Sequence, residues 1–440
     1  MSRYLQFLRS SHLPRQHCAL QTLIRTLATT THHKPNSLAS LFPGEPTRPS
    51  VNVPIPGPAA KKCLAELDKY QDPRGVVLVQ DVERSVGNYF VDADGNVLLD
   101  VFSHIASIPV GYNNSLILDA AKSDKWAQAI VNRPALGMFP PTTWPQTLHD
   151  SLISAAPPGL TQVFTGQCGA TANESAFRAA FFYQALKRRK DRSDPSFTEE
   201  ELSTCLSNIP PGSPAMSILS FGKSFHGRTM GALSATRSKW VHKLDVPAFD
   251  WPVAAFPQLR YPLSEYTKEN DQADQKSLDE VERLIRLWKE RSNPVAAVIV
   301  EPIQGEGGDN HASPKFFREL RELTKREGVL LIVDEVQTGV GATGKMWAHE
   351  YWNLESPPDM VTFSKKMQAA GFYHNIEMRP SHPYRNFNTW MGDPIRAYYA
   401  QHIISQIRKF NLLSLVNQTG SHLLSALSDL ASSHPETISN

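Results

Sequence analysis

The sequence predicts an α/β fold around a central, mostly parallel sheet, and three observations point there. The first is a set of short β-like runs at residues 297–302, 329–335 and 359–366, two ending in a carboxylate and the third in lysine. Such runs, bounded by turn residues, read as strands buried on both faces, the habit of parallel sheets. The second is the pattern between them. Leu278, Val281, Leu284, Ile285 and Leu287 recur at helical spacing over 278–292. Ser313 then Pro314 is an N-cap with proline at the first helical position, and that helix runs to about Arg326 and ends at Gly328. The third is what stops the strands: Glu301, Asp334 and the pair Lys365–Lys366. Ligands bind just past the carboxyl ends of parallel strands. Asp334 and Lys365 should therefore face one crevice.

The remaining elements follow in order. Residues 87–100 read as a hairpin turning at Asp94–Gly95. Residues 161–165 form a short strand, followed by Gly-Gln-Cys-Gly-Ala-Thr and a helix over about 172–190. A glycine-containing loop that opens a helix is an anion site, because free backbone N–H groups and the helix dipole both favour a phosphate. Residues 188–214 are polar and proline-rich and read as a solvated excursion with one short helix and no catalytic content. A strand over 216–221 leads into Gly-Lys-Ser-Phe-His-Gly-Arg at 222–228. Gln-Gly-Glu-Gly-Gly-Asp at 304–309 links a strand to a helix. Residues 395–409 and 412–431 read as helices. Residues 339–345 fit G-x-x-x-x-G-K, but Met346 stands where Mg²⁺ coordination needs Ser or Thr, so no nucleotide site is expected.

Composition narrows the function classes. The 440 residues suffice for two domains or one large one. A net charge of +2 gives no case for nucleic-acid binding. No run of 18 apolar residues appears, so no membrane span is predicted. The four cysteines lie far apart with no C-x-x-C, so neither a disulfide framework nor a metal site is predicted. Residues 1–44 contain no Asp or Glu but carry Arg3, Arg9, Arg15 and Arg25. Tyr4, Leu5, Phe7 and Leu8 can form an apolar face opposite them. That composition is a mitochondrial transit peptide, which implies the matrix; a merely disordered basic tail on a cytoplasmic protein is the alternative. Pro46, Pro49, Pro54, Pro56 and Pro58 mark a linker into the fold.

An aspartate and a lysine at neighbouring strand ends suit pyridoxal phosphate. That cofactor needs a lysine for a Schiff base and an acid that keeps its ring nitrogen protonated. Burial and a neighbouring cation lower a lysine pKa and make it a better nucleophile. At this point Val-Asp-Glu-Val-Gln-Thr-Gly (333–339), the following Thr-Gly-Lys and Trp-Ala-His-Glu, and Thr-Phe-Ser-Lys-Lys (362–366) matter together. The chain resembles the class III (ω-) aminotransferases, most closely those acting on 4-aminobutyrate, from about Val51 onward. The resemblance implies fold type I of the pyridoxal-phosphate-dependent transferases. A large cofactor domain would span 136–390, with a smaller α/β domain built from both chain ends, 45–135 and 391–440.

The resemblance also implies roles. Gly169 and Ala170 would hold the cofactor phosphate through their backbone. Phe225 would stack on the pyridine ring, as offset aromatic faces do. Asp334 would hold the ring nitrogen and Gln337 the phenolic oxygen. Arg228 would bind the distal carboxylate of the substrate, for which a guanidinium fork is well shaped. Ile105 would line the substrate pocket. Glu306 would pair with a second arginine until a substrate carboxylate displaces it. Thr389 would reach the cofactor phosphate of the partner subunit, making the active site shared and a homodimer obligatory. In the relatives the aldimine lysine lies six residues past the position of Asp359, which selects Lys365 as the catalytic lysine; counting back from Gly371 would select Lys366 instead, and on a strand the two would point to opposite faces. Some relatives hold an iron–sulfur cluster on two cysteines three apart; here Cys168 is followed by Thr171, so no cluster is expected.

The implied reaction moves the amino group of 4-aminobutyrate to 2-oxoglutarate, giving succinate semialdehyde and glutamate. Other ω-amino donors, ornithine or β-alanine, are the alternatives within the fold. Family members continue beyond the position of Asn440 through strands that carry the second arginine. The expectation is thus a shortened product or an incomplete gene, with apolar helix faces left bare. An inactive chain that only binds or dimerises is the corresponding alternative.

Overall fold

The computed structural model describes residues 38–437, so the leader expected over 1–44 falls almost wholly outside the described residues. The chain divides into one compact unit up to Pro43 and another from Gly44 onward. The first contributes a single described 3-10 turn, Ala39–Leu41. The second carries both sheets.

Its strands are β1 (Tyr89–Val91), β2 (Val97–Leu99), β3 (Gln162–Gly166), β4 (Ser217–Phe221), β5 (Val253–Ala254), β6 (Val295–Val300), β7 (Leu330–Asp334), β8 (Met360–Phe363) and β9 (Ala370–His374). β1 and β2 form the expected hairpin, with Gly95 in the left-handed region at φ +87°. The Asp94 carboxylate accepts hydrogen bonds from Ala59 N at 2.7 Å and Ala60 N at 3.0 Å, closing the first turn of the helix Pro58–Leu67. The other seven strands make one sheet in the order β3-β9-β8-β7-β6-β4-β5. From β8 to β5 every pairing is parallel; β9 runs antiparallel to both its neighbours.

Each residue of β6, β7 and β8 is buried, as their unbroken apolar runs require. Alternate side chains point to opposite faces of a strand. Leu331, Val333, Val361 and Phe363 enter one core with Phe316 and Leu320. Leu330, Ile332 and Met360 enter the other with Ala176, Phe177 and Ala180. Helices Thr267–Glu290 and Pro314–Glu327 thus cover one face of the sheet, and helix Gly169–Lys190 the other.

Most expected helices appear. Ser313 Oγ accepts from Phe316 N at 3.0 Å, and Gly328 ends that helix at φ +68°. The helix expected over 278–292 instead begins at Thr267. Its early turns have no apolar period because polar bonds anchor them. Asn270 bonds Arg260 N at 2.7 Å and Arg260 O at 3.0 Å, and Ser277 Oγ donates to Ala255 O at 2.6 Å. The 339–345 loop is no phosphate cradle: its Val340 and Gly341 N–H groups donate to Met346 O at 2.7 and 3.2 Å. Residues 188–214 include the helix Glu199–Cys205 but are not simply solvated, since Arg189 and Glu201 are buried there. The helix Leu412–Ser433 buries none of its residues, and Leu423, Leu424, Leu427 and Leu430 are exposed. No helix among the described residues is long and apolar enough to cross a membrane.

One largely buried ion pair, with side chains 8% and 16% exposed, braces the sheet where β8 begins. Asp359 accepts from Arg321 at 2.6 and 3.2 Å and from Leu331 N at 2.7 Å. Asp359→Ala strands the Arg321 charge, which is only 6% exposed. Breaking such a pair costs roughly 3–5 kcal/mol. Denaturant titration should show a clearly lowered midpoint; an unchanged one would mean that the pair adds nothing to stability.

Candidate active site

Glu301 follows β6, Asp334 ends β7 and Lys365 follows β8, so three neighbouring parallel strands deliver their charged ends to one place. A crevice of about 50 Å³ there is lined by Gly169, Ala170, Phe225, Asp334, Gln337 and Lys365. The sequence expected these six residues together. Helix Gly169–Lys190 brings its first turn to the crevice, where the backbone N–H groups have no intrahelical acceptor. Glycine is required at its start, because a Cβ on Gly169 would lie 2.7 Å from Val336 Cγ1. Just before it, Thr171 Oγ1 accepts from the N–H groups of Gln167 at 3.1 Å and Cys168 at 3.0 Å, shaping the loop.

Asp334 is 4% exposed and surrounded by donors. Asn173 Nδ2 and His226 Nδ1 each lie 2.8 Å from Oδ2; Val336 N at 3.0 Å and Thr362 Oγ1 at 3.4 Å donate to Oδ1. A carboxylate can only accept, so His226 carries its proton on Nδ1. His226 Nε2 and Asn173 Oδ1 are then buried without partners. Glu301 is buried beside Asp334 and accepts from Phe225 N at 2.8 Å. Burial first, and then the Asp334 charge, push its carboxyl well above the ordinary range.

The lysines differ from expectation in geometry. They do not alternate on a strand but sit in the 3-10 turn Lys365–Met367, with Lys365 at φ +40°. Both amines converge on one residue: Lys365 Nζ donates to Gln337 Oε1 at 3.0 Å, and Lys366 Nζ to the backbone oxygen of Gln337. Lys365 lines the crevice and Lys366 does not. Burial lowers the pKa of Lys365. It lowers that of Lys366 to about 8, with the adjacent Lys365 charge adding to the effect.

Beside the crevice lies a second charged group, only part of which was legible in the sequence. Glu306 pairs with Lys239 at 2.8 Å, not with an arginine. Lys239, and then His242 and Arg228, hold its carboxyl below the usual value. Arg228 is exposed, with Nη2 3.2 Å from His242 Nε2 and its guanidinium 5.7 Å from the Phe225 ring. Burial, and then the Arg228 charge, lower the His242 pKa. Lys239 and His242 were missed because Ser-Lys-Trp-Val-His reads as an ordinary surface turn. His226 and Glu301 stood in segments already singled out, at a loop and a strand end, where a signal was available.

Ile105 and Thr389 stand apart from the crevice. Ile105 is 57% exposed, in a run of left-handed residues from Ser103 to Ala106. The next carbonyl, Ser107 O, accepts from Gln368 Nε2 at 2.5 Å, which ties this run to the lysine turn. Thr389 is exposed, and among the described residues its side chain makes no hydrogen bond.

These residues fit pyridoxal phosphate. The crevice offers a helix N-terminus, a buried carboxylate, an aromatic side chain and an amine of lowered pKa, with orphaned polar atoms at His226 and Asn173.

Glu301→Gln tests the electrostatics. A carboxyl with a raised pKa in the fold is most stabilising below its unfolded value and loses that contribution as the pH rises through the folded value. Glutamine mimics the protonated form and does not titrate. Stability of the wild type should therefore decline relative to Glu301→Gln as the pH climbs above about 4.3, the ordinary glutamate value. Parallel stability curves would show that Glu301 is ionised in the fold.

Comparison with known proteins agrees with this geometry. Residues 70–440 match the family model described as Aminotransferase class-III. The chain is 57% identical over 400 residues to 4-aminobutyrate aminotransferase of Dictyostelium discoideum, spanning 91% of this chain and 79% of that one. It is 54% identical over 420 residues to the enzyme of that name from Emericella nidulans, spanning 95% and 83%. With the mitochondrial 4-aminobutyrate aminotransferase of Mus musculus it shares 47% over 391 residues, spanning 89% and 78%. Among solved structures, lysine aminotransferase from M. tuberculosis superposes with a TM-score of 0.74 at 30% identity, over 86% of this chain and 83% of that one. The α/β architecture is fold type I of the pyridoxal-phosphate-dependent enzymes. Strand-end lysine, buried aspartate and a family match over residues 70–440 lead to one conclusion: this chain belongs to the class-III aminotransferases.

Proposed function

We propose that this aminotransferase moves the amino group of 4-aminobutyrate to 2-oxoglutarate, giving succinate semialdehyde and glutamate. The observation that carries the reading is the Lys365–Gln337–Asp334 crevice with a cationic group, Arg228 and Lys239, at its side. The high identity to enzymes named for 4-aminobutyrate supports the choice of donor.

Class III aminotransferases depend on pyridoxal phosphate, which when bound supplies an electron sink for the substrate carbon. Lys365 would hold it covalently. Its lowered pKa leaves more of Nζ as free amine, the form that attacks a carbonyl and can take up the substrate's proton. Gln337 Oε1 orients that amine, and the Nε2–H of the same amide would donate to the phenolic oxygen. Asp334 would hold the proton of the ring nitrogen, with His226 and Asn173 fixing the carboxylate. Phe225 would cover the ring, and the Gly169 and Ala170 N–H groups would hold the phosphate. Arg228 would bind the distal carboxylate of 4-aminobutyrate. Ile105 would form the pocket wall. Glu306 would yield its cationic partner to a substrate carboxylate, and that partner here is Lys239.

Thr389 would serve the phosphate site of the other subunit in a two-fold homodimer. The hairpin β1–β2 and the helices after residue 390 would belong to a smaller domain. Mammalian relatives are mitochondrial by name. The acid-free, arginine-bearing residues 1–44 support the same compartment, the matrix, for this chain.

Borohydride reduction of the chain with pyridoxal phosphate, followed by peptide mapping, should place the label on Lys365. Label on Lys366 would reverse the assignment. Arg228→Gln should raise KM for 4-aminobutyrate about 10- to 100-fold, the range for losing a hydrogen bond to a charged group. Unchanged 4-aminobutyrate kinetics, or preferred turnover of ornithine by the wild type, would sink the proposed donor.

A further inference from the structure

Farther along helix Gly169–Lys190, beyond the lysine crevice, lies a cavity of about 1010 Å³. Helix Glu199–Cys205, the 211–216 segment and Phe249–Trp251 form further walls. It is the region the sequence presents as a solvated excursion.

Two kinds of surface meet there. One is aromatic. Phe249 stacks on Trp251 at 5.0 Å, and Phe177 meets Trp251 edge-on at 5.7 Å. The other is cationic. Arg385 lies 4.1 Å over the Phe182 ring, and Arg189 lies 4.6 Å over Phe197. The acids in the wall are already engaged. Glu174 accepts from the N–H groups of Gly231 at 2.7 Å and Ala232 at 3.2 Å. Glu201 is bound by Arg192 at 2.9 Å, and Asp250 by Arg291 at 2.6 Å. Arg189 is only 8% exposed; its Nη1 is 3.7 Å from Glu201, and its Nη2 has no hydrogen-bond partner. Burial and the neighbouring Arg189 charge both lower the pKa of Arg385. A buried guanidinium nitrogen without an acceptor is costly, and a charged acceptor repairs that cost most effectively.

We propose that this cavity is a second binding site, for a carboxylate that carries an aromatic or bulky apolar group. The carboxylate sits on Arg189 and Arg385, and the apolar part lies against Phe249 and the edge of Trp251. Size separates it from a duplicate substrate site: cavities of about 300–1,000 Å³ hold ligands of drug size, far larger than a four-carbon amino acid.

The test is calorimetric titration of the full chain, loaded with pyridoxal phosphate, with 1-naphthoate. Its uncharged counterpart, 1-naphthamide, is titrated in parallel. The site predicts saturable binding of the acid, at least about tenfold tighter than the amide, since a hydrogen bond between charged partners is lost in the latter. A saturating concentration of 4-aminobutyrate should leave that binding in place. Arg385→Gln should weaken it at least about tenfold while the melting temperature stays near the wild-type value. Arg189 is embedded in a buried pair, so the mutational test rests on Arg385. No saturable binding, equal affinity for the amide, or displacement by 4-aminobutyrate would each overturn the proposal.

Discussion

The carboxylate of Asp334 is the point on which the site depends. Its donors come from four separate pieces of chain: Asn173 on the long helix, His226 after β4, the turn at Val336, and Thr362 on β8. The β7–β8 register sets Asp334 directly opposite Thr362. Helix start, β4 loop, Val336 turn and β8 are therefore positioned by one acceptor as much as by the sheet. The neighbouring Glu301 shows what this arrangement costs. Burial first, and then the Asp334 charge at the adjacent strand end, raise the pKa of Glu301.

The inner and outer parts of the site are built differently. The inner crevice is buried, and its Asp334 carboxylate is bonded on both oxygens, with His226 Nε2 and Asn173 Oδ1 left unpaired around it. Outside it, the Glu306–Lys239 pair is held by side chains that are 36% and 54% exposed. An ion pair in water is worth only about 0–1 kcal/mol. Separating Glu306 from Lys239 therefore costs little, whereas Asp334 is held by four donors. A rigid crevice thus sits beside a loosely held ion pair.

Legibility in the sequence followed the range of the interaction. β6, β7 and β8 were readable because burial on both faces writes an unbroken apolar run. The Ser313 cap and Gly328 stop were readable because capping is local. Asp334 and Lys365 were readable because parallel strands place their carboxyl ends together. What escaped was decided at a distance. The start of the Thr267–Glu290 helix is fixed by Asn270 and Ser277 bonding to other segments. Lys239 becomes a partner of Glu306 across 67 residues of chain. The lysine turn escaped for another reason: a left-handed Lys365 leaves no mark in composition. The cavity walls escaped because buried Arg189 and Glu201 lie in a stretch whose composition looks like solvent-facing chain.

Gln337 grips two lysines by different means, its side-chain oxygen for Lys365 and its main-chain oxygen for Lys366. Side chains change with the codon, whereas every residue type keeps its carbonyl. A change of side chain at this position can loosen the Lys365 amine while the carbonyl that holds Lys366 remains. The second lysine is thereby the hereditary constant of the turn, and the first is its adjustable part.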